Sequence, residues 1–459
     1  MGRLIVASNR TATPGEPRAG GLAVALWDAL VERGGGVWFG WSGEVLDRET
    51  RGVRVFVDGE IDFALADLTE EEYEGYYLGY ANRALWPVMH YRIDLAQFSD
   101  SAFAQYEAVN RRFGRLLSQL LRTDDVVWVH DYHFLLLGRE LRYNDWRGPV
   151  GFFLHIPFPP PEVFSALPNH AQIARGLADF DLIGFQTERD TENFRRYMVQ
   201  QHQAKLLKGG RLKVHDRTVQ VAAFPIGIDP AEITRFAADT EARAGADRLG
   251  RVIDNRALVL GVDRMDYSKG LPQRLQAFGR LLDEHETLRG RVSYVQISPV
   301  SRGEVDAYAE LREEVDRLAG RINADHADLD WTPIRYLARS YPRQMLAGLY
   351  QLARVGLVTP LHDGMNLVAK EFVAAQDPED PGVLILSEFA GAAEQLREAL
   401  RVNPHDISGG ADAVRRALSM PLDERKARWT SLMECVREQD IAWWRNQFLD
   451  TLEATEQEA

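Results

Sequence analysis

The chain has 459 residues, 45 % of them hydrophobic and 27 % charged, an ordinary globular balance. Its 54 Lys plus Arg against 68 Asp plus Glu leave a formal net charge of −14, which argues against sequence-independent nucleic-acid binding but not against a local cationic pocket for phosphate. Length accommodates two large domains or three ordinary ones. The one cysteine, Cys435, excludes an intrachain disulfide and reads as a packing residue. No apolar run approaches the roughly 20 residues of a membrane span, and Leu4-Ile5-Val6-Ala7-Ser8 is too short for a signal-peptide core. The expectation is a soluble, cytoplasmic protein without membrane partners.

In chain order, short β-branched runs alternate with helical periodicity, the pattern of doubly wound parallel sheets. The first series of candidate strands is Leu4–Ala7, Val126–Val129, Val150–Leu154, Leu182–Phe185 and Val219–Phe224. After Gly20-Gly21, residues Leu22, Ala25, Leu26, Ala29 and Leu30 share one helical face, and Gly34 stops that helix. The second series is Ala257–Val262, Val292–Ile297, Ile334–Leu337, Val355–Val358 and Val383–Leu386. The series break after Phe224-Pro225-Ile226-Gly227-Ile228-Asp229, and a polar Ala/Arg/Asp-rich stretch, Ala237 to Asn255, leads into the second. The expected division is therefore two Rossmann-like domains, 1–235 and 236–437, facing across a cleft. A C-terminal helix over 438–459, with Ile441, Trp444, Phe448, Leu449 and Leu452 as its apolar stripe, is expected to pack back on the first domain.

Polar clusters follow the strands of both series. They are Ser8-Asn9-Arg10, His130-Asp131-Tyr132-His133, His155-Ile156-Pro157, Gly184-Phe185-Gln186-Thr187, Asp263 to Gly270, Ser298 to Gly303, His362-Asp363-Gly364-Met365-Asn366 and Ser387 to Gly391. In open α/β sheets ligands bind beyond the carboxyl ends of the strands, where loops meet helix N-termini. Arg10, Arg264, Lys269 and Arg302 taken together suit more than one phosphate group. His130, His133 and His155 lack the usual ligand spacing for a metal. Asp328-Leu329-Asp330 has an Asp-x-Asp form but lies in an acidic surface stretch. Neither a phosphate-binding Gly-x-x-x-x-Gly-Lys-Ser/Thr loop nor a Gly-x-Ser-x-Gly elbow occurs.

Ser8-Asn9-Arg10, Gly20-Gly21-Leu22, Trp38-Phe39-Gly40-Trp41, Leu85-Trp86-Pro87, His130-Asp131-Tyr132-His133 and His155-Ile156-Pro157-Phe158-Pro159 resemble the trehalose-6-phosphate synthase family (glycosyltransferase family 20). So do Asp263-Arg264-Met265-Asp266-Tyr267-Ser268-Lys269-Gly270 and the run Asp363 to Phe372. The motifs stand in order from about Leu4 to Leu449, the stretch between Arg10 and Gly20 is shorter than usual for the family, and the likeness is to its single-function bacterial form.

The resemblance implies a GT-B fold and transfer of glucose from UDP-glucose to glucose 6-phosphate with retention, without a metal or other cofactor. It implies Arg10, Tyr77 and Arg302 on the acceptor phosphate, Trp86 against the acceptor sugar and Asp131 on its hydroxyls. Gly21, Arg264 and Lys269 would take the donor diphosphate, His155 and Asp363 the transferred glucose, and Glu371 the ribose. The run Gly364-Met365-Asn366-Leu367-Val368 would complete the donor side. Asp131, His155, Arg264, Lys269 and Asp363 form the expected catalytic set. From the residues alone Tyr77 reads as a packed aromatic, because Tyr73, Tyr76 and Tyr80 crowd it. Another donor nucleotide (ADP or GDP), another acceptor such as glycerol phosphate, or a regulatory homologue without activity stay open, as does homo-oligomerisation.

Overall fold

The structure, a computed structural model, describes residues 2–11, 21–50, 52–254, 256–300 and 306–457. The side chains of Gly21, Leu22, Asp306, Glu456 and Gln457 lie outside that description, as do Gly20, Arg302 and most of the stretch between Arg10 and Gly20. The chain divides into two compact units, Met1–Pro225 with Trp444–Ala459, and Ile226–Trp443. The boundary thus differs from the expected one after residue 235: the helix Pro230–Ala238 belongs to the second unit, where its Thr234 hydroxyl donates to the Ala374 carbonyl at 3.0 Å.

In the first unit the described strands are β1 Leu4–Arg10, β2 Gly36–Leu46, β3 Arg54–Asp58, β4 Ile61–Thr69, β5 Val126–His130, β6 Val150–Phe153, β7 Leu182–Phe185, β8 Lys205–Leu206, β9 Arg211–Val214 and β10 Arg217–Ala223. They form one sheet in the order β3-β4-β2-β1-β5-β6-β7-β10-β9-β8. Pairing is parallel from β4 through β10 and antiparallel only at the outer hairpins. Strands buried on both faces read as continuous apolar runs, which is why Leu4–Ala7 and Val126–Val129 are completely or nearly completely buried.

Helix Ile441–Gln457 lays Trp444, Phe448, Leu449 and Leu452 on this unit. Trp128 lies 4.8 Å from the Phe448 ring and 5.0 Å from that of Trp444. Gly151 and Gly184 have no side chain for this reason: a Cβ on either would come within 2.8 Å of the Phe448 ring.

Between β4 and β5 the chain makes an uncommon element. Thr69 caps Glu70–Glu72 in a reciprocal box with Glu72, and the helix continues as a π-helix over Tyr73–Leu85 before tightening to α at Trp86–Met89. Arg112, from helix Asp100–Ser118, holds Glu72 at 2.7 Å and so fixes where the π-segment begins.

The second unit has β11 Ala257–Val262, β12 Val292–Ile297, β13 Ile334–Leu337, β14 Val355–Val358, β15 Val383–Ser387 and β16 Leu400–Val402. All pair in parallel, in the order β13-β12-β11-β14-β15-β16. Counted from β11 this is the doubly wound order 3-2-1-4-5-6, with its switch point between β11 and β14. The stretch read as a polar lead-in is instead largely helical, Thr240–Val252. Its small residues permit close packing: a Cβ on Gly348 of helix Arg343–Leu352 would come 2.5 Å from the Ala242 carbonyl oxygen. Both units are α/β with parallel-dominated sheets, the architecture of the GT-B fold.

Candidate functional site

In the first unit the three adjacent strands β1, β5 and β6 end in Asn9-Arg10, Asp131 and His155. The end of β1 is braced by its neighbours. Trp38 Nε1 donates to Ser8 Oγ at 2.8 Å, and the Tyr76 hydroxyl donates to Asn9 Oδ1 at 2.8 Å. Arg10 is exposed, its guanidinium carbon 5.0 Å from the centre of the Trp41 ring. Tyr77 packs on the same indole at 5.3 Å and stacks nearly parallel to His133 at 5.9 Å. Trp41 thus gathers Arg10 and Tyr77, while Arg302, the third member of the expected clamp, lies outside the described residues. Trp86 is buried and packs 5.5 Å from Tyr132, beside Asp131 in sequence.

Asp131 holds φ +72°, ψ 170°, a conformation uncommon for a side chain with Cβ and costly enough to mark functional positions. Its backbone N–H donates to the Phe153 carbonyl at 2.8 Å, and its Oδ1 accepts from the His155 N–H at 3.3 Å. The carboxylate therefore sits over the end of β6 beside His155. His155 Nε2 lies 3.1 Å from His130 Nδ1. Burial pushes the His155 pKa down to about 3 and holds His130 well below the ordinary histidine range, so both rings are neutral.

In the second unit the loops after β11 and β14 meet at the switch point. Lys269 Nζ and Asp363 Oδ2 are 2.5 Å apart, with side chains 12 % and 14 % exposed. Asn366, at φ +82°, donates through Nδ2 to the same carboxylate oxygen at 3.0 Å. The Ser268 carbonyl accepts from the Leu361 N–H at 2.7 Å, and Asp363 exchanges backbone bonds with the loop after β15 through Phe389 and Gly391. Gly270, at φ +66°, lets the two loops touch, since a Cβ there would lie 2.5 Å from the Thr359 carbonyl oxygen.

Below Lys269 lies a group absent from the sequence expectations. Arg274, 2 % exposed, donates to Asp263 Oδ2 (2.6 Å), Gln296 Oε1 (3.1 Å), Thr359 Oγ1 (3.1 Å) and the Lys269 carbonyl (3.1 Å). It ties the ends of β11, β12 and β14 together and sets the backbone carrying Lys269. Burial lifts the Asp263 pKa and the Arg274 guanidinium, 2.6 Å away, opposes that rise. Arg264 projects at the surface next to Asp263.

Helix Leu367–Ala375 starts at Asn366 without a side-chain cap. Leu367 and Val368 therefore stand in its first turn, where backbone N–H groups lack intrahelical partners and suit an anion. Gly364 and Met365 are buried in the turn before it. Glu371 lies one turn further along. Its carboxylate is 3.5 Å from the Tyr350 hydroxyl and 3.8 Å from Arg343 Nη2, longer than good hydrogen bonds, and burial raises its pKa. Its neighbour Lys370 points the other way, 1 % exposed, and donates to the Ile226 carbonyl at 2.7 Å.

Asp328 and Asp330 occupy a bridged turn in which Asp330 pairs with Arg256 at 2.8 Å. Among the described residues no group of three or more His, Cys, Asp or Glu is arranged to hold a metal, and no helix is long and apolar enough to cross a membrane.

The family model for glycosyltransferase family 20 matches residues 5–454. Trehalose-6-phosphate synthase of Sinorhizobium fredii is 48 % identical over 99 % of both chains. The crystal structure of an α,α-trehalose-phosphate synthase (UDP-forming) from Burkholderia vietnamiensis is similar at a TM-score of 0.97 and 47 % identity, covering 99 % of this chain and 97 % of that one. The Burkholderia xenovorans enzyme in complex with glucose-6-phosphate has a TM-score of 0.94 and 47 % identity, over 98 % and 100 %. An E. coli relative bound with UDP-2-fluoro glucose has a TM-score of 0.94 and 43 % identity, over 98 % of each chain.

Proposed function

The chain belongs to glycosyltransferase family 20, and on that premise we propose that it transfers glucose from UDP-glucose to glucose 6-phosphate, giving α,α-trehalose 6-phosphate and UDP. The carrying observation is that, of relatives over 40 % identical along nearly the whole chain, one was captured with glucose-6-phosphate and another with UDP-2-fluoro glucose.

The acceptor belongs to the first unit. Arg10 and Tyr77, gathered on Trp41, and Arg302 take its phosphate, Trp86 packs against the sugar and Asp131 accepts from its hydroxyls. The donor belongs mainly to the second unit. Gly21, Arg264, Lys269 and the first-turn amides of Leu367 and Val368 take the diphosphate, and Glu371, with two loose neighbours, accepts from the ribose diol. Asp363 and His155 bind the transferred glucose. Departure of UDP builds negative charge on its phosphates, so Arg264 and Lys269 stabilise the transition state more than the bound substrate. Lys269 is paired with Asp363, and on donor binding the ammonium turns to phosphate while the carboxylate turns to sugar hydroxyls.

Retention proceeds on one face of the sugar, the leaving phosphate taking the acceptor proton. Asp131 and Asp363 are the motif carboxylates near the glucose, and both are engaged with hydroxyls. Arg264 and Lys269 do the neutralising a divalent ion would otherwise supply. The deciding assay is UDP release from UDP-glucose with glucose 6-phosphate, beside ADP- and GDP-glucose and glycerol phosphate, each with and without EDTA. Faster turnover with another pair would refute the substrate assignment, and loss on chelation restored by magnesium would refute metal independence.

A further inference from the structure

His130 is 0 % exposed and is not among the groups assigned to substrate. Its Nδ1 meets His155 Nε2 at 3.1 Å, so one of the two nitrogens must donate and the other accept. The other nitrogen, His130 Nε2, is buried with no hydrogen-bond partner among the described residues. It lies within an aromatic cluster, the His130 ring centroid 4.5 Å from that of Trp128 and 6.4 Å from that of Trp444. The indole N–H groups of both tryptophans are themselves buried donors without an acceptor among the described residues.

Two arrangements of a neutral pair can be compared. If His155 Nε2–H donated, His130 would carry its own proton on Nε2 and add a third unpaired donor to a cluster that already holds two. If His130 Nδ1–H donates, Nε2 keeps a lone pair in surroundings rich in N–H groups. Orphaned buried N–H groups are rarer than under-satisfied acceptors, so the second arrangement is favoured.

We propose that His130 is a positioning residue that locks His155 as the Nδ1–H tautomer, so that His155 offers the transferred glucose a hydrogen-bond donor. The role of the donor rests on the glucose contact proposed above; the tautomer itself does not. His155 is partly exposed, and its backbone N–H is held by Asp131 at 3.3 Å, which leaves ring Nδ1 as the atom whose proton is set by His130.

Histidine-selective ¹⁵N NMR of the substrate-free protein reads the tautomer directly. The expected result is a protonated Nδ1 and a bare Nε2 on His155, with the proton shared between both nitrogens in His130→Phe. A protonated Nε2 on His155 in the wild type overturns the proposal. In parallel, His130→Phe should lower kcat about tenfold, the worth of one neutral hydrogen bond, while the acceptor KM holds. His130→Asn, whose amide can place an N–H where Nδ1 stood, should regain most of that loss. His130→Phe should add nothing to His155→Phe. An Asn variant as slow as the Phe variant, or losses that multiply, would overturn it. Failure of every donor and acceptor pair would instead sink the substrate reading and leave the NMR result to stand by itself.

Discussion

Lys370→Met isolates the energetic consequence of one buried ammonium. Lys370 is enclosed in the second unit with one hydrogen bond, to the Ile226 carbonyl at 2.7 Å, and burial pushes its pKa from 10.5 down to about 7. The unfolded chain binds this proton up to about pH 10.5, the folded chain only below about 7. Between those values the unfolded state carries one more proton, so stability rises with pH across that window and is flat below it. At about 1.4 kcal/mol per pH unit the whole displacement amounts to about 5 kcal/mol. Methionine has a similar length and no charge; it removes that dependence but loses the hydrogen bond to the Ile226 carbonyl, at about 1–3 kcal/mol. The variant should therefore be more stable than wild type by about 2–4 kcal/mol at pH 6 and less stable near pH 10. Urea titrations of both proteins at pH 6, 8 and 10, followed by tryptophan fluorescence, measure the difference at each pH, and titrations elsewhere cancel. Parallel stability curves across the range would refute the assignment of a neutral buried amine.

Arg274→Met should destabilise the second unit by about 3–5 kcal/mol in urea, because it strands the buried Asp263 carboxylate; pairing it with Asp263→Leu should recover much of the loss. Arg10→Ala should raise the KM for glucose 6-phosphate about 10- to 100-fold, the loss of a charge-assisted bond, and equal damage to UDP affinity by calorimetry would refute the acceptor role. Lys269→Ala should cut kcat by about 10²- to 10³-fold while the unfolding midpoint barely moves; a collapse of stability instead would make the residue structural. With UDP-2-fluoro glucose and no acceptor, intact-mass spectrometry should find no glucosyl adduct, and one trapped on Asp131 or Asp363 would refute same-face transfer.

The central strands were legible because burial on both faces leaves unbroken β-branched runs, as in Val126–Val129 and Val355–Val358. The flank of the first sheet was not. Gly36–Leu46 opens on the last of three consecutive glycines and buries a largely aromatic run, Val37-Trp38-Phe39, and Arg54–Asp58 is an edge strand whose Val55, Phe56 and Val57 are exposed, so neither is a β-branched run buried on both faces. Helix Thr240–Val252 escaped because Ala and Gly make its contacts, and small residues carry little periodic signal.

At the site, the family motifs named Lys269 and Asp363, but nothing local says that residues 94 apart in sequence touch. That contact follows from strand order, which brings the loops after β11 and β14 together. Arg274 was invisible for a related reason. Its partners come from three strands, and a lone arginine in a helix reads as a surface charge. His130 stands out in sequence only as part of a strand-end motif, because its Nε2 without a partner among the described residues shows only in the packed fold.

Tyr77 and Trp86 stand nine residues apart, and in an α-helix that spacing places two side chains roughly half a turn away from each other. A π-helix closes i→i+5 and so holds roughly 4.4 residues per turn, which returns a ninth neighbour to nearly the same side. The contacts agree, since Tyr77 lies against His133 and Trp86 against Tyr132, adjacent in one turn. The winding of Tyr73–Leu85 is thus a phase setting. Removing one residue from it would let the segment rewind as α and swing Trp86 off the face that Tyr77 shares. Sequence change along this stretch is therefore constrained in length more strictly than in composition, and a single deletion should be costlier to acceptor recognition than most substitutions at the same positions.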